Sequence, residues 1–417
     1  MVQALYNFLL VLLAPFWTTW MFWRSRKRKE QPNWSERLGD YRIPRTKGKP
    51  RLFLHAVSVG EVVAAMPILR EVRSLCPEAN IILSVTTSSG HATAREKAEG
   101  LFDHLVYAPL DLPRSTMNAM LRTQPQVMAF METELWMNWL WMAKQYEART
   151  MLLNGRISDR SYPRSMRLRF FFRALFRRLD ECYAQTETDA DRLRDLGARQ
   201  VEVLGNCKYD QAAEGVDADP GHWRRELGLA ETEPVIVIGS TRGEDEERLV
   251  AEALADPRLA QVRVVWAPRH LERVADIAER VGSAGRRSLG TYERITLLDT
   301  YGELSQVYAV ADVVVIGGGF ADLGGQNLIQ PLAHGKPVIH GPHMQNFRDV
   351  ADEARRAGAT QVAANAAELA DALAALLADS ERRRTMGDAG RALVRRHQGA
   401  SRRYAEKISA WLRADVE

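Results

Sequence analysis

The sequence predicts an α/β protein built from two doubly wound, Rossmann-like domains that face a cleft, preceded by a membrane anchor helix. Short β-rich runs alternate with helix-like segments in two series, which is typical of parallel sheets. A polar stretch between about residues 211 and 234 separates the two series. The chain has 417 residues, 46% of them hydrophobic, so it can bury two substantial cores.

The composition excludes several classes of protein. A charged fraction of 26% and a net charge of +4 fit neither a disordered chain nor a nucleic-acid specialist. Three widely spaced cysteines indicate neither a disulfide framework nor a zinc-thiolate site. His340 and His343 form the only close histidine pair, and Gly341 and Pro342 between them favour a turn over a helical metal pair. We therefore expect no metal site and no nucleic-acid partner.

Residues 1–30 predict a membrane anchor with a basic flank. The run from Ala4 to Trp23 is almost wholly apolar, and about 20 such residues can span a bilayer. Basic residues follow at once, at Arg24, Arg26, Lys27, Arg28 and Lys29. A cleavable signal peptide would carry its charge before the apolar run, so we expect a retained signal anchor with the rest of the chain in the cytoplasm. The alternative is a monotopic helix in the membrane plane, which Pro15 and two threonines favour.

The first α/β series predicts an N-terminal domain over residues 31–212. Many of its strands end in small or polar residues, and the carboxyl ends of parallel strands share one rim of the sheet, where ligands bind. The predicted strands are Leu52–Ala56, Ile81–Val85, His104–Tyr107, Val127–Met131, Thr150–Leu153, Glu181–Ala184 and Val201–Leu204.

The second series predicts a C-terminal domain over residues 213–417, with a ligand rim of its own. Amphipathic helices from Ala364 onward close the fold, and the last of them could pack back on the N-terminal domain. The predicted strands are Val235–Ile238, Val262–Ala267, Ile295–Leu298, Val313–Ile316 and Pro337–Ile339.

Glu61 is the first candidate for catalysis. It follows the strand Leu52–Ala56 at the rim, and a helix-like stretch from Val62 to Leu75 comes next. Amides at such a helix start can receive an anion or orient an acid/base side chain. The alternative is that Glu61 only occupies the first helical turn, where the helix dipole favours an acid.

Further charged residues follow other strands of the first domain. Glu132 and Glu134 come after a buried strand, and Lys208 follows another. Acids and lysines near one rim can stabilise developing charge, or they can simply pair with each other.

The second domain carries candidates for nucleotide contact. The segment Gly317–Pro331 places five glycines between a strand and a helix, so its backbone can approach a phosphate or ribose closely. Arg269, at another strand exit, suits bidentate contact with phosphate or carboxylate, and an ordinary surface arginine is the alternative. Glu303, in the turn Tyr301–Leu304, could meet a base or ribose or could cap the next helix.

The stretch Pro163–Leu179 is basic, aromatic and amphipathic, and it contains no acid. Such a helix can lie against anionic lipid or hold an acidic lipid headgroup. A domain-surface helix with its phenylalanines in the core would show the same pattern.

An ordered set of motifs spans nearly the whole chain. It consists of Trp34–Gly39, Ser58–Glu61, Glu132–Trp136, Asn154–Ser158, Gly205–Lys208, Pro268–His270, Gly302–Leu304, Gly324–Asn327 and Gly341–His343. With the apolar N-terminus, this set resembles the 3-deoxy-D-manno-octulosonic acid (Kdo) transferases of lipid A glycosylation. The resemblance implies a glycosyltransferase fold of the B type at the inner membrane, with the catalytic domains on the cytoplasmic side.

The resemblance also implies inverting, metal-independent transfer of Kdo from CMP-Kdo to a lipid A precursor in lipopolysaccharide core biosynthesis. It implies no cofactor besides the donor substrate. The anchor and the basic stretch Pro163–Leu179 predict membrane lipid as a further partner. Glu61 would be the general base, while Glu132 and Lys208 would stabilise the transition state. CMP would contact Pro268, Arg269, Gly302, Glu303, Leu304, Asn327, Leu328, Ile329 and Gln330.

Two positions depart from the family pattern. Gln330 stands where the family commonly has an acid, and Gln326 where it often has a histidine. A carboxylate accepts from ribose hydroxyls more strongly than a neutral amide does, so Gln330 puts donor affinity or donor identity in question. The alternatives are a B-type glycosyltransferase for another nucleotide sugar and a non-catalytic, membrane-tethered nucleotide-sugar-binding protein. The same motifs would serve enzymes that add one, two or several Kdo residues.

Overall fold

The computed structural model describes residues 2–27, 33–44, 48–212 and 216–414. Arg28 and Lys29 of the predicted basic flank lie outside the described residues. The chain divides into two compact units. Unit 1 comprises Met1–Gln211 and Gly399–Glu417, and unit 2 comprises Ala212–Gln398.

Unit 1 is built on a 7-stranded sheet with the order β3-β2-β1-β4-β5-β6-β7. Every neighbouring pair of strands in it is parallel. The order reverses between β1 and β4, so the sheet is doubly wound. Its strands are β1 (Arg51–Ala56), β2 (Asn80–Val85), β3 (His104–Tyr107), β4 (Val127–Met131), β5 (Arg149–Gly155), β6 (Glu181–Ala184) and β7 (Val201–Val203).

Unit 2 is built on a second 7-stranded sheet, also parallel, with the order β10-β11-β9-β8-β12-β13-β14. Here the order reverses between β8 and β12. Its strands are β8 (Val235–Thr241), β9 (Arg263–Pro268), β10 (Gly285–Arg286), β11 (Ile295–Leu297), β12 (Val313–Ile316), β13 (Val338–His340) and β14 (Thr360–Val362).

Helices connect the strands and cover both faces of each sheet. In chain order they are α1 (Val2–Leu12), α2 (Ala14–Lys27), α3 (Trp34–Arg37), α4 (Val59–Leu75), α5 (Ser88–Lys97), α6 (Pro113–Thr123), α7 (Met137–Gln145), α8 (Tyr162–Arg167), α9 (Arg169–Phe176), α10 (Glu187–Asp195), α11 (Lys208–Ala212), α12 (Pro220–Glu226), α13 (Glu244–Leu254), α14 (Val274–Val281), α15 (Leu304–Val307), α16 (Ile329–Ala333), α17 (Arg348–Arg356), α18 (Ala366–Ala378), α19 (Ser380–His397) and α20 (Ala400–Ala414). Short 3₁₀ turns lie at Pro257–Leu259, Leu271–Arg273, Arg287–Leu289, Tyr308–Val310 and Gln345–Phe347.

The central strands of unit 1 are buried on both faces, which explains their nearly continuous apolar sequences. Successive side chains of a strand point to opposite faces. Leu52 and Leu54 of β1 therefore join the core that contains α4, whereas Phe53 joins the core that contains α7. Phe53 meets Trp139 of α7 edge to face, with 5.4 Å between the ring centroids.

The last helix, α20, belongs to unit 1. Its Tyr404 and Leu412 are buried in the same core as the inner face of α4. Asp210 caps its start, because the backbone amides of Gly399 and Ser401 donate to the two carboxylate oxygens over 2.6 and 2.7 Å.

The strands predicted from the sequence are confirmed in both units, with bounds that shift by a few residues. The sequence pattern misses two strands, β10 and β14, which are short and form the two edges of the unit 2 sheet. An edge strand has one pairing partner and needs fewer buried apolar side chains, so its hydrophobic signal is weak.

The predicted anchor segment folds as two helices, α1 and α2, with Leu13 in a turn between them. Pro15 has no backbone amide hydrogen, so the helical hydrogen bond to the carbonyl of Val11 cannot form and the helix restarts. Within the described residues, no helix combines the length and the apolar character needed to cross a bilayer. The prediction of one spanning anchor helix is therefore not supported.

Candidate functional site

Two acids lie where the strand order of unit 1 reverses. β1 and β4 are hydrogen-bonded neighbours, with His55 opposite Phe130. Glu132 follows β4 directly, and Glu61 lies in the first turn of α4, just after β1. In open parallel sheets, ligands bind outside the carboxyl ends of the strands at this reversal point. The structure thus brings two of the sequence-predicted catalytic residues to the expected binding edge.

Glu61 is held by local hydrogen bonds at the start of α4. Its carboxylate accepts from the backbone amide of Val57 over 2.8 Å and from the hydroxyl of Ser58 over 3.2 Å. These bonds tie the acid to the segment before α4, although Ser58 at the N-cap makes no side-chain bond to the helix amides. They are compatible with the alternative that Glu61 only serves the first helical turn. The residue is nevertheless only 8% exposed, which an ordinary first-turn acid at a helix surface would not be.

Burial changes the acidity of Glu61. Loss of solvent raises the pKa of its carboxyl to about 7, the hydrogen bond from Val57 partly opposes the rise, and the charges of Glu132 and Glu134 add to it. A carboxyl with a pKa near 7 is partly ionised at neutral pH. It can therefore accept a proton and release it again, which a general base must do.

Glu132 and Lys208 form an ion pair, with 3.4 Å between Lys208 Nζ and Glu132 Oε1. Each side chain is about a quarter or less exposed. Glu132 has a φ of 55°, a left-handed conformation that is costly for a residue with a side chain. Nearby Glu134 also has a raised pKa, first because of burial and then because of the charge of Glu132. The ion pair between the acid and the lysine, one of the two interpretations of their sequence positions, is therefore observed, and it lies at the expected binding edge.

Asn154 holds the backbone of the residue that precedes Lys208. It is the second-last residue of β5 and has a left-handed conformation with a φ of 54°. Its side-chain oxygen accepts from the backbone amide of Cys207, the residue before Lys208. The side chain of Gln185 donates to the Asn154 carbonyl over 2.9 Å. Asn154 was not among the predicted site residues, although an Asn-Gly pair directly after a predicted strand is a signal for such a turn.

In unit 2 the strand order reverses between β8 and β12, and the glycine-rich loop lies at the exit of β12. A Cβ on Gly317 would come within 2.5 Å of the Cα of Thr241, so only glycine fits there. Gly318 has a φ of 75°, which also favours glycine. The loop therefore depends on glycine for its packing as well as for any approach of a ligand.

A buried carboxylate occupies part of the glycine loop. Glu246 of α13 accepts from the backbone amides of Gly318 over 2.7 Å, Phe320 over 3.1 Å and Arg242 over 2.6 Å. It is 1% exposed, and burial raises its pKa. We predicted that this loop would offer its amides to a nucleotide, but two of those amides are already bonded to Glu246. The only sequence signal for Glu246 was the run of four acids at the start of α13.

The predicted donor-contacting residues lie at the ends of three strands on the carboxyl edge of the unit 2 sheet. Pro268 ends β9 and is buried, while Arg269 is exposed and its backbone amide donates to the Thr241 carbonyl over 2.9 Å. After β11, Gly302 has a φ of 87° and Glu303 pairs with Arg287 over 3.3 Å.

The remaining donor candidates lie at the start of α15 and α16. Leu304 begins α15. After β12, the side chain of Asn327 accepts from the amide of Ile329 over 2.9 Å at the start of α16. Leu328 and Ile329 are buried, whereas Asn327 and Gln330 are half-buried. Only Asn327 and Gln330 of this run can present polar side chains to a ligand.

Comparison with solved structures shows the fold. The UDP-GlcNAc 2-epimerase of Neisseria meningitidis, bound to UDP-GlcNAc, has a TM-score of 0.61 at 11% identity and covers 87% of this chain and 99% of its own. A glycosyltransferase of Rickettsia africae has a TM-score of 0.60 at 11% identity, over 87% of this chain and 98% of its own. The chain thus has the two-domain α/β architecture found in glycosyltransferases and nucleotide-sugar epimerases.

Sequence relatives define the class and the family. The family model described as 3-deoxy-D-manno-octulosonic-acid transferase (kdotransferase) matches residues 32–211. The 3-deoxy-D-manno-octulosonic acid transferase of Bordetella pertussis is 36% identical over 99% of this chain and 100% of its own length. The enzyme of that name from Haemophilus influenzae is 28% identical over 92% of each chain. The chain is therefore a glycosyltransferase. It belongs to the family of the Kdo transferases.

Proposed function

We propose that this enzyme transfers Kdo from CMP-Kdo to a lipid A precursor in lipopolysaccharide core biosynthesis, with inversion at the anomeric carbon. The single observation that carries the mechanism is the buried carboxyl of Glu61 at the strand-order reversal of unit 1, whose pKa is about 7. Membership of the Kdo transferase family supports the donor sugar and the acceptor.

In the proposed reaction, Glu61 removes the proton from a hydroxyl of the acceptor glucosamine. The hydroxyl oxygen then bonds to the anomeric carbon of Kdo as the bond from that carbon to CMP breaks on the opposite face. The electrons of the broken bond leave with CMP, which is a good leaving group, so a base and correct positioning can suffice. The ammonium of Lys208, held by Glu132, stabilises the negative charge that develops.

The donor is assigned to unit 2. Arg269 offers an exposed guanidinium at the exit of β9, suited to a phosphate. Asn327 and Gln330 present polar side chains at the start of α16, where ribose hydroxyls could be bound. Pro268, Gly302, Glu303, Leu304, Leu328 and Ile329 complete the proposed CMP contacts. The neutral amide of Gln330 should bind the ribose less tightly than a carboxylate would.

The proposal needs no metal ion, because side chains supply both the base and the positive charge. In the part of the chain that the structure describes, no three His, Cys, Asp or Glu side chains come together in a metal-binding arrangement. The direct test is activity after exhaustive treatment with EDTA. Loss of transfer that added Mg²⁺ restores would contradict a metal-independent reaction.

We also propose that the enzyme binds the cytoplasmic face of the inner membrane as a monotopic protein. The ring centroids of Tyr6 in α1 and Phe171 in α9 lie 5.9 Å apart, so the two helices are neighbours. With Leu168, which precedes α9, they expose what we call the apolar face, which consists of Leu5, Phe8, Val11, Leu12, Leu168 and Phe170. Phe8 is 62% exposed and Phe170 is 59% exposed.

Basic residues of α8 and α9 accompany the apolar face, namely Arg164, Arg167, Arg169 and Arg173. Exposed apolar side chains beside arginines suit a bilayer surface that carries anionic lipid. The membrane test is cosedimentation with vesicles of neutral lipid containing about one third anionic lipid, where Phe8→Glu should reduce binding because it places a charge at the apolar boundary. Binding unchanged by Phe8→Glu would contradict the assignment of this face.

The functional test is incubation of the purified enzyme with CMP-Kdo and a tetraacylated lipid A precursor, with mass detection of the product. Glu61→Ala should abolish transfer while CMP-Kdo still binds, and full turnover by this variant would refute the role of Glu61. Glu78→Ala, at an exposed acid near the end of α4, is the matched control. A panel of nucleotide sugars in the same assay tests whether Gln330 changes the donor.

A further inference from the structure

An ordinary surface helix buries its apolar side and exposes its polar side, and α1 does the reverse. Its apolar side chains, among them Leu5, Phe8 and Leu12, are exposed. Its polar side chains are hydrogen-bonded to other elements of unit 1. Gln3, Tyr6 and Asn7 are spaced three and four residues apart, so they form one stripe along the helix. Membrane contact would explain the exposed apolar side of α1. It does not explain a polar stripe that is hydrogen-bonded to the rest of the protein.

Asp111 lies at the centre of the contacts made by this stripe. Its carboxylate accepts from the hydroxyl of Tyr6 over 2.8 Å and from the backbone amides of Asn138 and Trp139 over 3.2 and 2.9 Å. The last two are among the first amides of α7, which have no partner within the helix. Trp136, the residue before α7, supplies no side-chain cap. Asp111 therefore caps α7 from a distant part of the chain.

Asn138 completes the connection. It is fully buried, and its side-chain amide donates to the carbonyl of Asp111 over 2.6 Å and to the side chain of Asn7 over 2.7 Å. The side chain of Gln3 donates to Asn138 over 3.4 Å. We call Tyr6, Asn7, Asp111 and Asn138 the polar clasp. It joins α1 to the start of α7 through hydrogen bonds that are largely shielded from water.

The loop Glu132–Trp136 connects β4 to α7 and carries Glu132 and Glu134. Its first end is fixed by the bond from the Glu132 amide to the Leu153 carbonyl, 2.8 Å long. Its second end is fixed where Asp111 caps α7. Glu132 itself makes the first attachment, and its carboxylate pairs with Lys208. Because Glu132 and the start of α7 are joined by one short loop, we expect a shift at the capped end to reach the acid that pairs with Lys208.

We propose that the polar clasp makes α1 a positioning element of the catalytic site, in addition to any role at the membrane. Tyr6, Asn7, Asp111 and Asn138 are positioning residues that act through the loop Glu132–Trp136. The inference rests on the proposed function for its kinetic part. Without the Tyr6 hydroxyl, the carboxylate of Asp111 loses one of its donors, and we expect its bonds to the first amides of α7 to shift with it.

Tyr6→Phe is the test, because it removes the hydroxyl and keeps the ring that packs against Phe171. Tyr162→Phe is the matched control: the Tyr162 hydroxyl donates to Asp195 over 2.6 Å, at an exposed site of the same unit. Transfer is measured with CMP-Kdo and acceptor in detergent micelles, so that no bilayer has to be bound. In Tyr6→Phe we expect kcat to fall about tenfold, while the KM for CMP-Kdo stays within about twofold and the control matches wild type.

Hydrogen–deuterium exchange supplies a second measurement that needs no substrate. The amides of Asn138 and Trp139, followed in a peptide covering residues 132–140, should exchange about tenfold faster in Tyr6→Phe and at the wild-type rate in Tyr162→Phe. Asn7→Ala, which removes a different bond of the clasp, should accelerate the same peptide.

The outcomes separate the inference from the proposed function. Unchanged exchange at residues 132–140 in both clasp variants overturns the inference, and so does faster exchange with an unchanged kcat. If the wild-type enzyme transfers no Kdo, the proposed function fails, and the exchange data still decide whether α1 positions the loop. A general loss of stability would accelerate peptides throughout unit 1, which would also count against a local positioning role.

Discussion

Glu61→Gln separates the effects of burial on stability and on catalysis. The carboxyl has an ordinary pKa of 4.5 and a pKa of about 7 in the folded protein. Since one pKa unit corresponds to about 1.36 kcal/mol, ionising this group costs about 3 kcal/mol more in the folded protein than in the unfolded chain. Glutamine has nearly the same shape and is neutral at every pH, so folded Glu61→Gln has no free-energy cost of ionisation at this position.

The sign of the stability effect follows from the raised pKa. The contribution of a neutral Glu61 is fully present below pH 4.5 and is lost as the pH rises through about 7. The stability of Glu61→Gln relative to wild type should therefore increase by up to about 3 kcal/mol between pH 4.5 and pH 8. Any constant cost from weakened bonds to Val57 and Ser58 cancels in this difference between two pH values.

Activity should change in the opposite direction. A general base works as the carboxylate, so wild-type kcat/KM for the acceptor should rise about tenfold per pH unit below pH 7 and level off above it. Glu61→Gln should lower kcat by roughly 10²- to 10⁴-fold, the usual contribution of a general base, and should remove this acid limb.

Urea unfolding at several pH values and steady-state kinetics with the lipid acceptor measure both effects. Glu78→Gln, at an exposed position, should leave the pH dependence of both unchanged. A stability difference that is the same at pH 5 and pH 8, or an acid limb of kcat/KM near pH 4.5, would refute the argument that burial tunes Glu61.

Three further predictions concern other parts of the site. Lys208→Met should lower kcat about 10- to 1,000-fold through lost charge stabilisation, with little change in Tm because the pair with Glu132 is partly exposed; a kcat near wild type would contradict the role of the lysine. Glu246→Ala leaves buried backbone amides without an acceptor and should destabilise unit 2 by about 2 to 4 kcal/mol in urea unfolding, whereas Asp245→Ala, at an exposed neighbour, should cost less than about 0.5 kcal/mol. Gln330→Glu should lower the KM for CMP-Kdo several-fold if this side chain accepts from ribose hydroxyls, and an unchanged KM would place the ribose elsewhere.

The fold was predictable because its signals are local. Strand pattern, strand length and the small or polar residues after each strand lie within a few residues of one another, as in Leu52–Ala56 followed by Glu61. The position of Glu61 and Glu132 at one sheet edge follows from parallel topology alone. Their burial does not, because it depends on which side chains of other elements cover the site.

The role of Glu246 could not be predicted in the same way. The carboxylate bonds to amides more than seventy residues away, at Gly318 and Phe320. The sequence shows acids at the start of a helix and glycines after a strand, but it does not show that the two meet. The glycine loop was therefore assigned to a ligand when part of it is bonded to the protein.

The prediction of one spanning N-terminal helix lacks support for a related reason. A hydropathy window adds up apolar residues whichever way they point, so Ala4–Trp23 was interpreted as one spanning helix. The signals against that interpretation were Pro15 and the polar stripe of Gln3, Tyr6 and Asn7. A stripe at helical spacing indicates a protein-facing side, and its contacts with Asn138 and Asp111 are visible only in three dimensions.

The return of α20 to unit 1 has consequences for genetics and for protein engineering. In gene order unit 2 is an insertion within unit 1, so it can be expressed as one continuous fragment, whereas unit 1 requires its two segments to be joined. A stop codon after Gln398 would leave the codon for Glu61 intact. The protein would nevertheless lack α20, which packs against the inner face of α4, the helix that carries Glu61. A lesion that removes the residues after Gln398 would thus produce the phenotype of a mutation at Glu61.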